Sequence, residues 1–154
     1  ATADAYHLTS PAPGAEGAGR AMEAALKEAG LQPNQIDYVN AHATSTPAGD
    51  VGEATAIARV LGAGRKTPLA VSSTKSMTGH MLGAAGATEA LFSLLALRDQ
   101  MIPPTAHLEK LDPGCESLGL NFVPKKAQAA PLKYVLSNSF GFGGTNGTLI
   151  LTKV

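Results

Sequence analysis

Two histidines stand where apolar, strand-like runs give way to polar loops. His42 follows Val39 in "VNAHATSTPAGD" (39–50), and His80 closes "SSTKSMTGH" (72–80). An imidazole at a strand end can donate a hydrogen bond to a developing oxyanion or carry a proton. A lone one is more often a satisfied structural residue, but two in equivalent positions favour chemistry. Lys75, five residues before His80 in the same loop, is a cation able to perturb a neighbour's pKa or organise a hydrogen-bond network. Thr44, Ser45 and Thr46 either cap the helix that follows or contact a polar ligand arm. The glycines of "GFGGTNG" (141–147) lie between two β-rich runs, which is not the strand–glycine–helix plan of a dinucleotide fingerprint. They do allow a backbone N–H to point into a site, as an oxyanion hole requires. Gly14, Gly17 and Gly19 precede a helix without a convincing strand before them, so no dinucleotide site is expected there either. The two histidines have no evident third ligand, His107 and Cys115 falling in an irregular region, and no metal site is expected.

The surrounding pattern supplies the elements to hold these residues. Met22, Ala25, Leu26 and Ala29 recur at helical spacing before Gly30, which predicts a helix from about Glu16 to Ala29. "QIDYVNAHA" reads as a short buried strand delivering His42. In "DVGEATAIARVLG" Asp50 and Glu53 have capping-box spacing, and Gly62 ends the helix. "PLAVSS" is a second strand, followed by the His80 loop and a helix from roughly Gly83 to Arg98. That helix is rich in Ala and Leu on nearly all faces, which predicts deep burial, and Pro103 and Pro104 stop it. Residues 106–131 read as mostly irregular, with "LNFVP" a candidate edge strand, and "KYVLSNSF" and "GTLILTKV" form a hairpin around the glycines. "ATADAYHLT" is a poor strand, so the first strand is expected upstream of Ala1. Alternating helices and strands followed by a hairpin indicate an α/β layered fold with a mixed sheet.

Composition narrows the function classes. With 154 residues, 44% apolar and 16% charged, the chain suits one globular domain with a core. Twelve basic and twelve acidic residues cancel, so no net field draws it to nucleic acid or an anionic membrane. The longest apolar stretch, Met81 to Leu97, is interrupted by glycines, Thr88 and Glu89 and is no membrane span, and Ala1 does not open a signal peptide. The single cysteine excludes an internal disulfide framework and suits a reducing compartment.

Together "NAHATSTPAGD", "SSTKSMTGHMLGAAGATE" and "NSFGFGGTNGTL", with "IPPT" and "LNFVPKKA" between them, resemble the C-terminal half of β-ketoacyl-acyl carrier protein synthases of the thiolase superfamily. "TKSMTGH" and "LNFVP" are more similar to the synthase II branch than to synthase I. The resemblance implies a thiolase-like half, residues 1–154, and decarboxylative condensation of an acyl thioester with malonyl carrier protein in fatty-acid elongation. It makes His42 and His80 the oxyanion donors, Lys75 the organiser of the second histidine and Glu89 a supporting buried carboxylate. It gives the Phe142 N–H to an oxyanion hole and the Phe142 ring to a gate on the acyl pocket, and it assigns substrate contacts to Thr9, Thr44, Thr46 and Phe140. No cofactor is implied beyond substrates carried on the phosphopantetheine of acyl carrier protein. The implied partners are that carrier, the N-terminal half of the synthase and a second copy of the full enzyme, in bacterial cytoplasm or an organellar matrix. The family nucleophile belongs to the other half; Cys115, in "DPGCESLG", stands in the wrong context, and Ala43 replaces a glycine common after the first histidine. The protein is therefore expected to be roughly twice this length or more, inactive as these residues alone. A polyketide synthase ketosynthase domain is the runner-up, followed by a non-catalytic chain-length-factor-like partner, against which His42, Lys75 and His80 all argue. A degradative thiolase would carry a cysteine in the glycine loop, and a synthase III enzyme would pair histidine with asparagine.

Overall fold

The structure is a computed structural model and describes residues 1–153. Along the chain run β1 (Thr2–Ala3), α1 (Glu16–Ala29), β2 (Tyr38–Asn40), α2 (Pro47–Leu61), β3 (Ala70–Ser72) and α3 (Lys75–Thr78). Then come α4 (Ala85–Asp99), β4 (Met101–Ile102), α5 (Pro113–Glu116), β5 (Gln128–Ala129), β6 (Tyr134–Gly141) and β7 (Thr145–Thr152). The main sheet has the order β1-β7-β6-β2-β3. β2 pairs in parallel with both β3 and β6, while β7 pairs antiparallel with β6 and β1. This is the mixed α/β sheet expected.

Strand alternation sorts the core into two layers. Val39, Val71 and Leu136 point to one face, where they meet Met22 and Leu26 of α1 and Ile57 and Leu61 of α2. Their neighbours Tyr38, Ala70 and Val135 point to the other, against Ala96 and Leu97 of α4. Because both faces are covered, β2 and β3 read as uninterrupted buried runs rather than as alternating ones. The chain leaves β2 through α2 to reach β3, then crosses by α4 to β6 on the other side of β2. The carboxyl ends of three adjacent parallel strands thus lie together, and that is where open α/β sheets leave a crevice.

Several expectations are met closely and others are corrected. α1 has the predicted bounds, and Gly30 ends it in the left-handed region at φ 66°. The hairpin is present, with Tyr134 opposite Thr152 and Gly141 opposite Thr145. The first strand, expected upstream of Ala1, has residues within "ATADAYHLT" itself: Thr2 and Ala3 pair with Asn146 and Thr145. α2 begins at Pro47, before Asp50, because proline's fixed φ suits the first helical position. Asp50 and Glu53 therefore form no capping box. "LNFVP" holds only isolated bridges, Asn121 to Ala70 and Pro124 to Thr105. The small sheet pairing β4 with β5 had no clear pattern to announce it. α4 is buried on one side only, through Ala85, Glu89, Ser93, Ala96 and Leu97; Leu91 and Leu94 are 54% and 47% exposed.

Leu136 is fully buried between β2 and β7 on the α1–α2 face. Leu136→Ala is expected to lower stability by about 2–5 kcal/mol, whereas Leu91→Ala, on the bare face of α4, should cost under about 1 kcal/mol. Urea denaturation of both variants measures the difference; equal losses would mean that the α4 face is covered in solution.

Candidate active site

Each of the three carboxyl ends carries one of the motifs singled out above. After β2, Ala41 donates to the Ser72 carbonyl at 2.9 Å and His42 leaves the sheet. The backbone then turns through Ser45, held at φ 64°, before Pro47 opens α2. After β3 the short helix α3 presents Lys75, and His80 is set between two left-handed residues, Gly79 at φ 72° and Leu82 at φ 51°. The second bend brings the Leu82 N–H back onto His80 Nδ1 at 3.3 Å. With Nδ1 accepting, the proton of a neutral His80 lies on Nε2. β6 ends in the turn bearing Phe142.

The two imidazoles meet edge to face, with ring centroids 5.6 Å apart and planes at 86°. The Phe140 ring lies 5.4 Å from that of His42. One cavity of about 700 Å³ takes in both histidines with Thr9, Thr44, Thr46, Phe140 and Phe142. The Thr44 and Thr46 hydroxyls are 3.4 Å apart there. Phe142 is 81% exposed, so it stands at the opening rather than in the packed wall. Its turn is tied across the cavity: Gly143 N–H donates to the Leu8 carbonyl at 2.7 Å, and Asn146 Nδ2 donates to Asp4 Oδ1 at 2.7 Å. Gly144, at φ 75°, packs so closely that a Cβ would sit 2.8 Å from the Asp4 Cβ.

Behind the histidines lies a buried charge network. Lys75 Nζ donates to Glu89 Oε1, the two side chains being 5% and 4% exposed. Burial pushes the Glu89 pKa up while Lys75 pulls it down. Its other oxygen, Oε2, is buried with no partner among the described residues, as is His42 Nδ1. Burial, then the Lys75 charge and His80, lower the His42 pKa from 6.5 to about 4. His42 is consequently neutral at pH 7.

A profile scan matches residues 1–109 to the family described as "Beta-ketoacyl synthase, C-terminal domain". The chain belongs to the β-ketoacyl synthase family. It is 56% identical over 151 residues to the 3-oxoacyl-[acyl-carrier-protein] synthase 2 of Coxiella burnetii, covering 98% of this chain and 36% of that protein. Identity to the Staphylococcus aureus protein of the same name is 51% over 152 residues, with 99% and 36% covered. The chain thus spans about a third of the length of these relatives. Among solved structures, a β-ketoacyl synthase from Burkholderia phymatum superposes with a TM-score of 0.90 at 42% identity, covering 99% of this chain and 35% of that one. A Xenorhabdus doucetiae ketosynthase in complex with its chain length factor does so with a TM-score of 0.88 at 37% identity, covering 99% and 37%. The fold is the thiolase-like one expected.

Every residue singled out for the synthase site lines the histidine cavity or, as Lys75 and Glu89 do, the buried network behind it. Cys115 does not: it lines a second cavity of about 530 Å³, and burial, with Asp112 and Asp50 nearby, pushes its thiol pKa up. That cavity also reaches His80 and Lys75, but the raised pKa denies the thiol the acidity of a nucleophile. Two carboxylates, Asp50 and Glu53, serve the loop before α2 and not the start of the helix that their spacing predicts. Asp50 accepts from the Ser45 and Thr46 N–H groups at 3.1 and 3.3 Å, bracing the threonine turn. Glu53, 3% exposed, accepts from the His42 and Ala43 N–H groups at 2.9 and 2.8 Å. Their capping-box spacing was the only local signal, and it pointed to helix initiation. Among the described residues no three His, Cys, Asp or Glu side chains gather as a metal-ligand set.

Replacing Lys75 by Met should raise the His42 titration midpoint above about 4, since the lysine charge is one of the causes holding it down. It should also cost about 3–5 kcal/mol by leaving Glu89 buried without its cation. Proton NMR of the imidazoles and a urea titration read the two effects. The sign of the pH dependence follows from the depressed value: the unfolded chain takes up the His42 proton first, near 6.5, so stability falls as pH drops from there to about 4.

Proposed function

We propose that this chain supplies the two-histidine part of a fatty-acid-elongating β-ketoacyl synthase, which condenses an acyl thioester with malonyl carrier protein. The observation that carries this reading is the convergence of His42 and His80, edge to face at 5.6 Å, on one cavity with the Phe142 turn. Loss of carbon dioxide from a malonyl thioester leaves the electrons of the broken C–C bond on the thioester as an enolate. Two imidazole N–H groups aimed at that oxygen stabilise the charge as it forms by hydrogen bonding, with no proton transfer required. Neutrality of His42 suits a donor of this kind. The enolate carbon then attacks an acyl thioester carried on a cysteine outside these residues. A new C–C bond forms, the C–S bond breaks, and the cysteine leaves as thiolate. The Phe142 N–H faces the acyl oxyanion in this scheme, and its exposed ring covers or opens the acyl pocket. Thr9, Thr44 and Thr46 offer hydroxyls to the pantetheine arm. No cofactor beyond that carrier-borne arm enters the reaction.

The synthase II assignment rests on 51–56% identity to proteins named 3-oxoacyl-[acyl-carrier-protein] synthase 2. A polyketide ketosynthase is the second reading, favoured by structural neighbours such as the ishigamide ketosynthase/chain length factor, at 38% identity and a TM-score of 0.90. The carrier, the remaining part of the synthase and a second copy of the whole enzyme are the proposed partners. Residues 1–154 form the C-terminal part of one thiolase-like domain in this scheme. Among the described residues no helix is long and apolar enough to cross a membrane.

In the complete enzyme, His80→Ala should slow carbon dioxide release from malonyl carrier protein about 100- to 1000-fold, the usual cost of one oxyanion donor. Acylation of the upstream cysteine should suffer less, because it draws on a different oxyanion hole. Phe142→Ala keeps its backbone N–H and should impair acyl-chain entry more than decarboxylation. Measuring acyl-enzyme formation and carbon dioxide release separately decides it; loss of acylation with decarboxylation intact in His80→Ala would refute the role given to His80. The 154-residue chain on its own should release no carbon dioxide from malonyl carrier protein, and sustained turnover by it would refute the divided site.

A further inference from the structure

We propose that Glu53 is a positioning residue that registers the His42 backbone against strand β6 and so sets the aim of His42 for decarboxylation. The proposal rests on the condensing role argued above.

Glu53 lies in the middle of α2, well past the turn where carboxylates cap helices. Its carboxylate instead joins three elements. Oε1 accepts from the His42 N–H at 2.9 Å and from Asn138 Nδ2 at 3.1 Å, while Oε2 accepts from the Ala43 N–H at 2.8 Å. Asn138 is fully buried on β6 and is held from its far side by Thr148 of β7, whose hydroxyl donates to Asn138 Oδ1 at 2.8 Å. One oxygen therefore fixes the distance between the histidine backbone and the strand that runs into Phe140 and Phe142. Phe140 in turn packs on the His42 ring at 5.4 Å.

The chemistry of the site requires a carboxylate. Burial pushes the Glu53 pKa up against the pull of its donors and of Lys75. Three N–H donors and no acceptor are bonded to it, so the ionised form is the one the geometry satisfies. A glutamine can keep its oxygen on His42 and Asn138 only by turning its amide N–H against the Ala43 N–H. The Ala43 peptide must then shift, and His42 with it. A displacement of about 1 Å in a catalytic group costs on the order of 100-fold in rate. Ser73 Oγ still donates to the Ala43 carbonyl at 2.9 Å, which keeps the loop folded without fixing its inner side.

The test uses the complete synthase with Glu53→Gln and, separately, Asn138→Ala. Glu53→Gln should lower kcat for carbon dioxide release about 10- to 100-fold, with KM for malonyl carrier protein and the rate of cysteine acylation within about threefold of wild type. Asn138→Ala leaves both backbone bonds to Glu53 but removes the tie to β6, and it should slow the same half-reaction by a smaller factor. A crystal structure of the Glu53→Gln enzyme should show His42 displaced relative to His80 and Phe140. Both half-reactions falling together in proportion to lost folded protein would overturn the proposal, leaving Glu53 a stability residue. Unchanged decarboxylation in either variant, or an unmoved His42, would overturn it as well. If the wild-type enzyme itself released no carbon dioxide, the condensing role would fail instead, and the crystal structure would still decide whether Glu53 positions His42.

Discussion

Three parallel strands end side by side, and the loops that carry both histidines and the glycine turn leave from that one edge. β3, β2 and β6 keep a common register, with Asn40 opposite both Ser72 and Ser137, so the loops after them must emerge together. Helices α1 and α2 close one face of the sheet and α4 the other, and the strand ends are the exits left for polar groups. His42, His80 and Phe142 are far apart in sequence and neighbours in space for this reason. Moving one pairing by a residue would exchange the buried faces, placing Tyr38 where Val39 packs, so the core that holds the register also holds the site.

The charges beneath these loops are expensive to bury, and stability alone does not account for them. A buried ion pair rarely gains more than an apolar pair of the same shape, whereas breaking it strands a charge. Lys75 faces Glu89 directly and, from farther off, partly offsets the burial that raises the Glu53 pKa, so one cation serves two buried carboxylates. Orientation is the better explanation. Glu53 holds the backbone of the first histidine, and Lys75 helps keep that histidine neutral. The left-handed residues Ser45 and Leu82 are costly for the same purpose, since each bends a loop that carries a cavity-lining side chain.

Local signals made much of this fold legible. Gly30 ends α1 through its own left-handed backbone preference and Gly62 follows α2 in the right-handed region, while α4 ends at left-handed Gln100, ahead of the Pro103 and Pro104 expected to stop it; the long hairpin announces itself by β-rich runs around glycines. What escaped is non-local or depends on side-chain direction. Thr2 and Ala3 become a strand only because Asn146 and Thr145, at the other end of the chain, offer an edge. β4 and β5 pair across the irregular region in the same way. The spacing of Asp50 and Glu53 fits a capping box, yet Pro47 starts the helix earlier and turns both carboxylates toward the preceding loop. The family motifs brought the site residues to attention, but the distance between the histidines belongs to the sheet and is written in no motif.

The division of labour at the site follows from acidity. Burial and the Lys75 charge hold His42 neutral, a state compatible with the donor role proposed for it. A thiol nucleophile needs the opposite surroundings, electropositive and partly open, so that thiolate forms. Burial, with Asp112 and Asp50 nearby, favours the thiol form of Cys115, although the cavity it lines also reaches Lys75 and His80. Donors tuned for an enolate and a thiolate tuned for acyl transfer make conflicting demands on one loop cluster. In the proposed condensation the conflict is resolved by drawing the thiolate from outside these residues, with the donors and the glycine turn waiting on the carboxyl ends of β2, β3 and β6.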